Sequence, residues 1–444
     1  MLHNPAAAFL TRRAVLRGSA VMGAGAALAA LPFASTAFAQ QSAAARWPSV
    51  ARFVNGYVDR EIVSCMVATM GFGQQEPDII SAGTRTFAGD GAAGPDSLFR
   101  IYSMTKPITG LATVMCIDDG LLSLDQPLAD IVPGFANMQV QKRYDGPITR
   151  DNLEPAVRPI TIRHLLTHTA GLGYSIIQQG PINQAYRQRG IVPGQVSRMA
   201  IAQEIFGGRP ASSLAEFAEG LSQLPLVYQP GTRWSYSVSL DLLGHVIEVV
   251  TGQDFARFLQ SRIFEPCGMT STGFRVDRDD VNRLTANYFL MGGLPIPVDM
   301  PRSSVFLDEP AFPFGGAGLV SSGRDYDRFL QMLAGRGEIE GRRVASEAAV
   351  EMATSNLFPD TLVQGGGFDS NGRQFGFGAG GLVGTGDTEG LFGWFGAAGT
   401  AGLVNMKHGL RHNLMTQYMP ADAYDVQSDF PQVVARDAMQ MLPA

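Results

Sequence analysis

Apolar and polar positions follow two different periods along the chain, and these periods predict its elements. Residues 46–60 and 430–441 carry apolar positions at helical spacing, which predicts a helix near each end. Five apolar runs bounded by turn residues predict strands: 62–72, 79–87, 374–383, 394–404 and 410–419. Because these strands come from both ends of the chain, we expect one sheet that is assembled from both ends and flanked by helices, an α+β fold.

The part of the chain between the two strand blocks is mostly helical and rich in loops. We therefore predict a sheet lobe from residues 40–120 and 365–444 and an inserted helical lobe from residues 121–364, with a cleft between them. Two long loops, 175–210 and 287–315, are rich in Gly, Pro and Gln. Long structureless loops are either functional lids or surface excursions, and the pattern does not separate these alternatives.

The first 39 residues have the form of an export signal. Thr11-Arg12-Arg13 is followed by an Ala/Gly-rich apolar stretch that ends in the cleavage-like triplet Ala37-Phe38-Ala39. The sequence thus predicts a twin-arginine signal peptide, removal after Ala39 and a periplasmic or secreted protein. A permanent membrane anchor is the alternative, which Pro32 and the weak hydrophobicity disfavour. No later apolar run reaches 18 residues, so we expect no stable membrane insertion after cleavage.

Composition narrows the class of function. The net charge is −6 over 444 residues, which argues against a nucleic-acid partner. Charged residues are 17% of the chain, against about 25% in average domains, so a large core is available. The three cysteines have no paired spacing, and His164 and His168 lack a carboxylate ligand nearby. We therefore expect no disulfide framework, no metal and no cofactor.

Candidate chemistry centres on Ser103-Met104-Thr105-Lys106. The segment follows an extended stretch and opens a helix, since Pro107 is tolerated only in a first turn. Three residues of separation place the Lys106 amine on the helix face of the Ser103 hydroxyl, and an amine there can help to deprotonate a serine nucleophile. Lys106 is one of only three lysines, with Lys142 and Lys407. The bare pattern is equally compatible with a surface lysine after a capping serine.

Two further elements carry side chains that suit a reaction cleft. Tyr236 lies just before an apolar-periodic helix that we predict at residues 240–250, where a phenol can shuttle protons. Residues 393–400 form a strand of small residues, with Trp394 and Gly396 on one face. A packing aromatic and a glycine-bent core strand are the alternatives. The chain has no G-x-S-x-G, H-E-x-x-H or phosphate-binding glycine loop.

Taken in this order, the three elements resemble one family. The chain is similar to serine hydrolases of the β-lactamase and penicillin-binding-protein superfamily, and most similar to family VIII carboxylesterases, which are related to class C β-lactamases. The resemblance covers about residues 50–420, and it is carried by four stretches: 99–107, 160–171, 236–244 and 316–322. It implies a β-lactamase-like fold, with an antiparallel sheet and an inserted helical lobe.

The resemblance also implies a role for each site residue. Ser103 would be the acylated nucleophile, and Lys106 would hold the proton network and stabilise the phenolate of Tyr236. Tyr236 would act as general base towards Ser103 and then as acid towards the leaving group. The backbone N–H groups of Ser103 and Ala397 would form the oxyanion hole.

Two departures from the β-lactamase motifs concern the substrate. The Y-x-N motif ends in Val238, which cannot donate an amide hydrogen bond, and Trp394 replaces the lysine of K-T-G. Losing such a charge-assisted bond costs a lactam carboxylate about 1.5–3 kcal/mol of binding. We therefore expect Trp394, Gly396 and Val238 to line a site for small uncharged esters, with Phe395 pointing away.

The resulting hypothesis is a secreted carboxylesterase for short-chain esters. A β-lactamase, an amide hydrolase or an acyltransferase of the same superfamily is the alternative within enzymes, because the motifs do not determine which molecule accepts the acyl group. A non-catalytic penicillin-binding-like sensor is the alternative outside them, which the intact Ser103, Lys106 and Tyr236 disfavour.

Overall fold

A computed structural model describes most of the chain after the predicted export signal. The signal itself, residues 1–39, lies outside the described residues and stays a prediction. No helix in the described part has the length and apolar content needed to cross a membrane. The described residues are 40–200, 208–360, 362, 368–370 and 373–441.

The α-helices follow the predicted order, with most of them in the middle of the chain. The described helices are α1 (Pro48–Asp59), α2 (Thr105–Asp118), α3 (Ile162–Leu166), α4 (Pro181–Gln188), α5 (Leu214–Ser222), α6 (Ser239–Thr251), α7 (Phe255–Leu259), α8 (Glu265–Cys267), α9 (Gly323–Ala334), α10 (Glu347–Thr354) and α11 (Val426–Met439). Helix α1 starts with Pro48 in its first turn, and α6 ends at Gly252 in the left-handed conformation (φ +66°).

The strands concentrate towards the two chain ends. The described strands are β1 (Cys65–Phe72), β2 (Asp78–Gly83), β3 (Leu98–Arg100), β4 (Gln139–Gln141), β5 (Leu153–Pro155), β6 (Asn287–Met291), β7 (Leu294–Asp299), β8 (Val320–Ser322), β9 (Glu338–Ile339), β10 (Arg342–Arg343), β11 (Phe368–Ser370), β12 (Arg373–Phe377), β13 (Leu382–Val383), β14 (Leu391–Phe395), β15 (Ala401–Asn405), β16 (Leu410–Met415) and β17 (Tyr418–Met419).

Eight of the described strands form one sheet in the order β11-β12-β13-β14-β15-β16-β1-β2. Strand β1 from the N-terminal side pairs antiparallel with β16 from the C-terminal side, with Val67 opposite Met415. The other neighbours are antiparallel as well. The predicted α+β architecture, with an antiparallel sheet built from both chain ends, is confirmed.

Period-2 alternation in β1 divides the core between the two faces of the sheet. Met66, Ala68 and Met70 pack in the cluster that holds α1 and α11. Cys65 and Val67 point to the opposite face and join the cluster that contains α9 and the middle helices. The sheet is thus covered by helices on both faces.

Helix α2 lies in the centre of the second face. It packs against α6 and α10, and residues 105–116 are all buried. A helix that is buried all round needs apolar residues on every side, so a buried lysine in its first turn is unusual.

The division into lobes at residues 120 and 365 stays a prediction.

Several predicted boundaries were wrong. The strand predicted at 374–383 is the antiparallel pair β12 and β13, and the one predicted at 410–419 divides into β16 in the large sheet and β17 in a separate sheet. Residues 394–404 are not one strand: β14 and β15 form a hairpin, and the chain turns between Gly396 and Gly399 (φ +83°).

The C-terminal helix begins at Val426 rather than at residue 430, with Pro431 inside it. Proline is normally confined to a first helical turn, so the continuation of the helix on both sides of Pro431 is unusual.

The two loops predicted to be structureless contain regular structure. Helix α4 lies within 175–210, and β6 and β7 form a hairpin within 287–315. The β6–β7 turn has Gly292 (φ +59°) and Gly293 (φ +83°) at its tip. Gly-Gly between two apolar runs is a hairpin signal, so the sequence contained the information that was missed.

Candidate active site

The predicted nucleophile and lysine meet at the start of α2. The chain runs from β3 through a short 3-10 turn, Tyr102–Met104, into the helix. The Lys106 Nζ donates a hydrogen bond to the Ser103 Oγ at 3.1 Å and another to the Gly316 carbonyl at 2.6 Å. Lys106 is fully buried, and Ser103 is 8% exposed, so the amine is more deeply buried than the serine to which it donates.

The backbone before Ser103 is held in an unusual conformation. Tyr102 has a φ of +41°, which strains a residue with a Cβ. Its hydroxyl accepts a hydrogen bond from the Asn287 Nδ2 at 3.0 Å. Two residues earlier, the buried Arg100 pairs with Asp299, its Nε donating to Oδ2 at 2.7 Å. The β6–β7 hairpin, which supplies Asn287 and Asp299, therefore fixes the turn that presents Ser103.

Tyr236 reaches the same point from the turn before α6. Its ring centre lies 4.5 Å from the Lys106 Nζ, a cation–π contact. Its hydroxyl accepts a hydrogen bond from the Trp394 Nε1 at 3.1 Å, across 158 residues of sequence. The structure thus brings Ser103, Lys106, Tyr236 and Trp394 together from three separate parts of the chain.

The turn after β14 lies against the segment that precedes Ser103. A Cβ at Gly396 would lie 2.5 Å from the Ile101 carbonyl oxygen, so this position requires glycine. Ala397 follows in the turn and is exposed. Within the described residues, neither the Ser103 nor the Ala397 N–H donates a hydrogen bond to the protein. Both amides are therefore available to an oxygen atom in the site.

Val238 does not line the site. Its side chain is 0% exposed and belongs to the main core, where the residue caps α6 and its N–H bonds to the Gly173 carbonyl. The expectation that Val238 contacts substrate directly is therefore not supported by its position, since the side chain presents no free surface. Phe395 packs partly against the cluster on the α1 side of the sheet, but it also contacts the cluster that holds Trp394, with the two ring centres 6.3 Å apart, so the expectation that it points away is met only in part.

His168 lies directly behind Tyr236. The two ring centres are 4.9 Å apart, and the His168 Nδ1 shares a 2.8 Å hydrogen bond with the Ser237 hydroxyl. Burial, together with the Lys106 charge, holds the pKa of His168 well below its usual value, so the ring stays neutral. His164 instead accepts the Thr161 N–H in the cap of α3, and burial lowers its pKa to about 4.

An apolar aromatic wall surrounds Tyr236 and Trp394. Trp234 stacks on Tyr236 with ring centres 6.0 Å apart and contacts Phe368 at 4.3 Å. Phe377 meets the Trp394 ring edge-on at 5.2 Å. In the part of the chain that the structure describes, no group of His, Cys, Asp or Glu side chains could hold a metal ion. The chemistry available here is therefore that of a serine, an amine, a phenol and an apolar wall.

Three residues at the site were not identified from the sequence as functional. The Tyr174 ring packs edge-on against the Tyr236 ring, with ring centres 5.4 Å apart. The Gly316 carbonyl accepts the hydrogen bond from Lys106. Asp241, on α6, accepts the Gly316 N–H at 2.8 Å. A signal for Asp241 was present, because a carboxylate inside the apolar run 240–243 is rarely buried without a partner.

Comparison with known proteins gives concordant matches. The family model described as Beta-lactamase matches residues 66–431. Esterase EstB of Burkholderia gladioli is 30% identical over 368 residues, which cover 78% of this chain and 82% of that protein. Acyltransferase calJ of Penicillium decumbens is 31% identical over 244 residues, 54% of this chain and 52% of that protein.

A solved structure matches over most of the chain. It is that of "EstCE1, a hydrolase with promiscuous acyltransferase activity", with a TM-score of 0.69 and 23% identity over 90% of this chain and 99% of that one. At this level of identity, the likeness shows a shared fold.

Proposed function

This chain belongs to the beta-lactamase family of serine hydrolases, and from that premise we propose that it is a carboxylesterase that cleaves short-chain esters through an acyl-enzyme on Ser103. The predicted resemblance and the predicted β-lactamase-like fold are confirmed. The observation that carries the proposal is the contact of one buried amine, Lys106, with both Ser103 and Tyr236, 3.1 Å from the Oγ and 4.5 Å from the ring centre.

Acylation begins when Tyr236 takes the proton of the Ser103 hydroxyl. The Ser103 Oγ then forms a bond to the ester carbonyl carbon, and the carbonyl oxygen becomes an oxyanion. The Ser103 and Ala397 N–H groups donate to this oxygen, and the positive end of α2 favours its charge. The C–O bond to the alcohol then breaks, and Tyr236 returns its proton to the departing alkoxide. The products of this half-reaction are an alcohol and a Ser103 ester.

Deacylation repeats these steps with water. Tyr236 accepts a proton from the water, whose oxygen attacks the acyl carbon, and the proton then passes to the Ser103 Oγ as the acid leaves. Lys106 stabilises the phenolate in both halves, because its ammonium lies over the Tyr236 ring. The Trp394 N–H donates to the same phenolate oxygen, which adds a second stabilising contact.

The aromatic wall supports an uncharged ester as the substrate. Trp394 occupies the position of a cation in the β-lactamase motif, and its N–H is already bonded to Tyr236. The rings of Trp234, Phe368 and Phe377 around it are apolar, so a carboxylate placed there would lose its hydration without gaining a cation. An acyl or alcohol group of an ester has no such cost.

Transfer of the acyl group to a second alcohol is an alternative to hydrolysis. Acyltransferase calJ, a relative at 31% identity, favours it, although the chain spans about half the length of that protein. Water and an alcohol enter the same step through the same proton transfer. The ratio of acid to transferred ester, measured by chromatography with an added alcohol, distinguishes the two.

The protein starting at residue 40 is expected to prefer p-nitrophenyl butyrate over a chromogenic cephalosporin by at least about 100-fold in kcat/KM. The reason is that Trp394 replaces the lysine that would bind the carboxylate of a cephalosporin. Steady-state kinetics on both substrates checks this, with the Ser103→Ala variant as the blank. Equal or faster cephalosporin turnover would contradict the esterase proposal and favour a β-lactamase.

Trp394→Phe is expected to lower kcat/KM for the ester by about 10- to 100-fold, the value of one hydrogen bond to a charged group. Trp234→Phe is the matched control. Trp234 belongs to the same aromatic wall, and its Nε1 has no hydrogen-bond partner among the described residues. Equal losses of kcat/KM in both variants would mean that the size of the indole ring, and not the Trp394 N–H, supports activity.

A further inference from the structure

A carboxyl group is buried near Lys106. Asp241 lies on α6 and is fully buried. Its Oδ1 accepts the Gly316 N–H at 2.8 Å, and its Oδ2 has no hydrogen-bond partner within the described ranges. The carbonyl of the same Gly316 accepts the Lys106 Nζ at 2.6 Å. One glycine therefore links the carboxyl group to the ammonium that contacts Ser103.

The glycine segment has little freedom to move. A Cβ at Gly316 would lie 2.6 Å from the Asp241 Oδ2, and one at Gly315 would collide with the Leu240 carbonyl. The Thr109 hydroxyl donates to the Gly315 carbonyl at 2.7 Å. The segment thus fits between α2 and α6, and Asp241 supplies the side-chain contact that sets the Gly316 carbonyl in place.

Asp241 also acts on Lys106 through its charge. Burial raises the pKa of Asp241 to about 6, with the Lys106 charge acting in the opposite direction. Above that pH the group is an anion in the interior. Two titratable side chains face it, Lys106 from α2 and Tyr174 from the segment before α4. Burial raises the pKa of Tyr174 well above its usual value, so Tyr174 is neutral and Lys106 is the charge that faces Asp241.

We propose that Asp241 is a positioning residue for Lys106, which fixes the Gly316 carbonyl and supplies the negative charge that balances the ammonium beneath Ser103. This inference rests on the proposed function, because it assigns Lys106 a place in proton transfer. Removing the anion takes away the charge that balances the ammonium, so we expect both limbs of the activity profile to shift to lower pH and the rate of acylation to fall.

The test compares Asp241→Asn with Asp437→Asn. Asparagine keeps an acceptor for the Gly316 N–H and removes the charge. Asp437 is a matched control: it is also buried, its Oδ2 accepts the N–H groups of Ser49 and Val50, and its Oδ1 has no partner in the described part of the chain. Two profiles are measured from pH 5 to 10: kcat/KM for p-nitrophenyl butyrate, and the rate at which a fluorophosphonate labels Ser103. Melting temperatures are recorded for every variant.

For Asp241→Asn we expect both limbs to move down by about 1 pH unit and both rates to fall at least tenfold at the wild-type optimum. Asp437→Asn should lower the melting temperature and leave both limbs in place. Should Asp241→Asn fail to fold, Asp241→Ser, also uncharged, should show the same shift. Limbs that superimpose on those of the wild type would overturn the inference. Labelling without ester turnover in the wild type would overturn the proposed esterase function alone, since the labelling profile still tests Asp241.

Discussion

Replacing Ser103 with alanine is expected to abolish ester turnover, with kcat lower by on the order of 10⁴-fold or more. The Oγ is the atom that forms the acyl bond, and two other hydroxyls near the site are committed elsewhere. The Ser237 hydroxyl bonds to His168 and Ser239, and that of Tyr174 faces the Pro193 carbonyl. The substitution removes one hydrogen bond to Lys106 and no apolar packing, so the melting temperature should change little.

Steady-state kinetics and intact-protein mass spectrometry check this prediction. A burst of acyl-enzyme should be seen with the wild type and be absent from Ser103→Ala. Ser49→Ala is the control, because Ser49 is also a buried serine but lies in the first turn of α1, on the far face of the sheet. Retained turnover in Ser103→Ala would show that another group is the nucleophile, and the assignment of the whole site would fall.

Much of the architecture could be predicted because it depends on local periodicity. The helix at 46–60 and the paired strands at 62–72 and 79–87 appear as α1, β1 and β2, with β2 ending earlier, at Gly83 (φ +83°). Helix α6 and the turn carrying Tyr236 also lie where the apolar period predicts them. In these segments the apolar residues recur on the face of the helix or strand that is buried in the fold.

Unlike the β6–β7 hairpin, whose Gly-Gly turn is a local signal, two other failures occur where a distant contact decides the local conformation. The strand predicted at 394–404 is broken at Gly399, where a Cβ would meet the ring of Tyr418 from a later strand. Val238 was expected in the site because it follows Tyr236 in a motif, yet the start of α6 turns it into the core. The spacing of apolar residues along the chain shows neither the turn at Gly399 nor the burial of Val238.

The site itself was predictable only in part for the same reason. Ser103 and Lys106 are three residues apart, so helical geometry alone brings them together. The bond from Trp394 to Tyr236 spans 158 residues, and the link from Asp241 through Gly316 to Lys106 joins three separate segments. Tertiary packing creates these contacts, and a motif indicates at most which residues take part.

Tyr236→Phe is expected to lower kcat by about 10³-fold, within the range that general acid–base groups contribute, because it removes only the oxygen that moves the proton. The ring remains, and with it the contact to the Lys106 ammonium and the stacking on Trp234. Folding should therefore be preserved, while Trp394 keeps its indole but loses its acceptor.

Tyr174→Phe isolates the role of that oxygen from the role of an aromatic ring beside Lys106. The Tyr174 ring centre also lies near the Lys106 Nζ, at 5.7 Å, but its hydroxyl donates to the Pro193 carbonyl, away from Ser103. Tyr174→Phe should therefore lose less than about tenfold in kcat. Pre-steady-state kinetics with p-nitrophenyl butyrate measures acylation in both variants. If the two phenylalanine variants lose the same activity, the Tyr236 oxygen is not the base, and the proton must leave Ser103 through Lys106 directly.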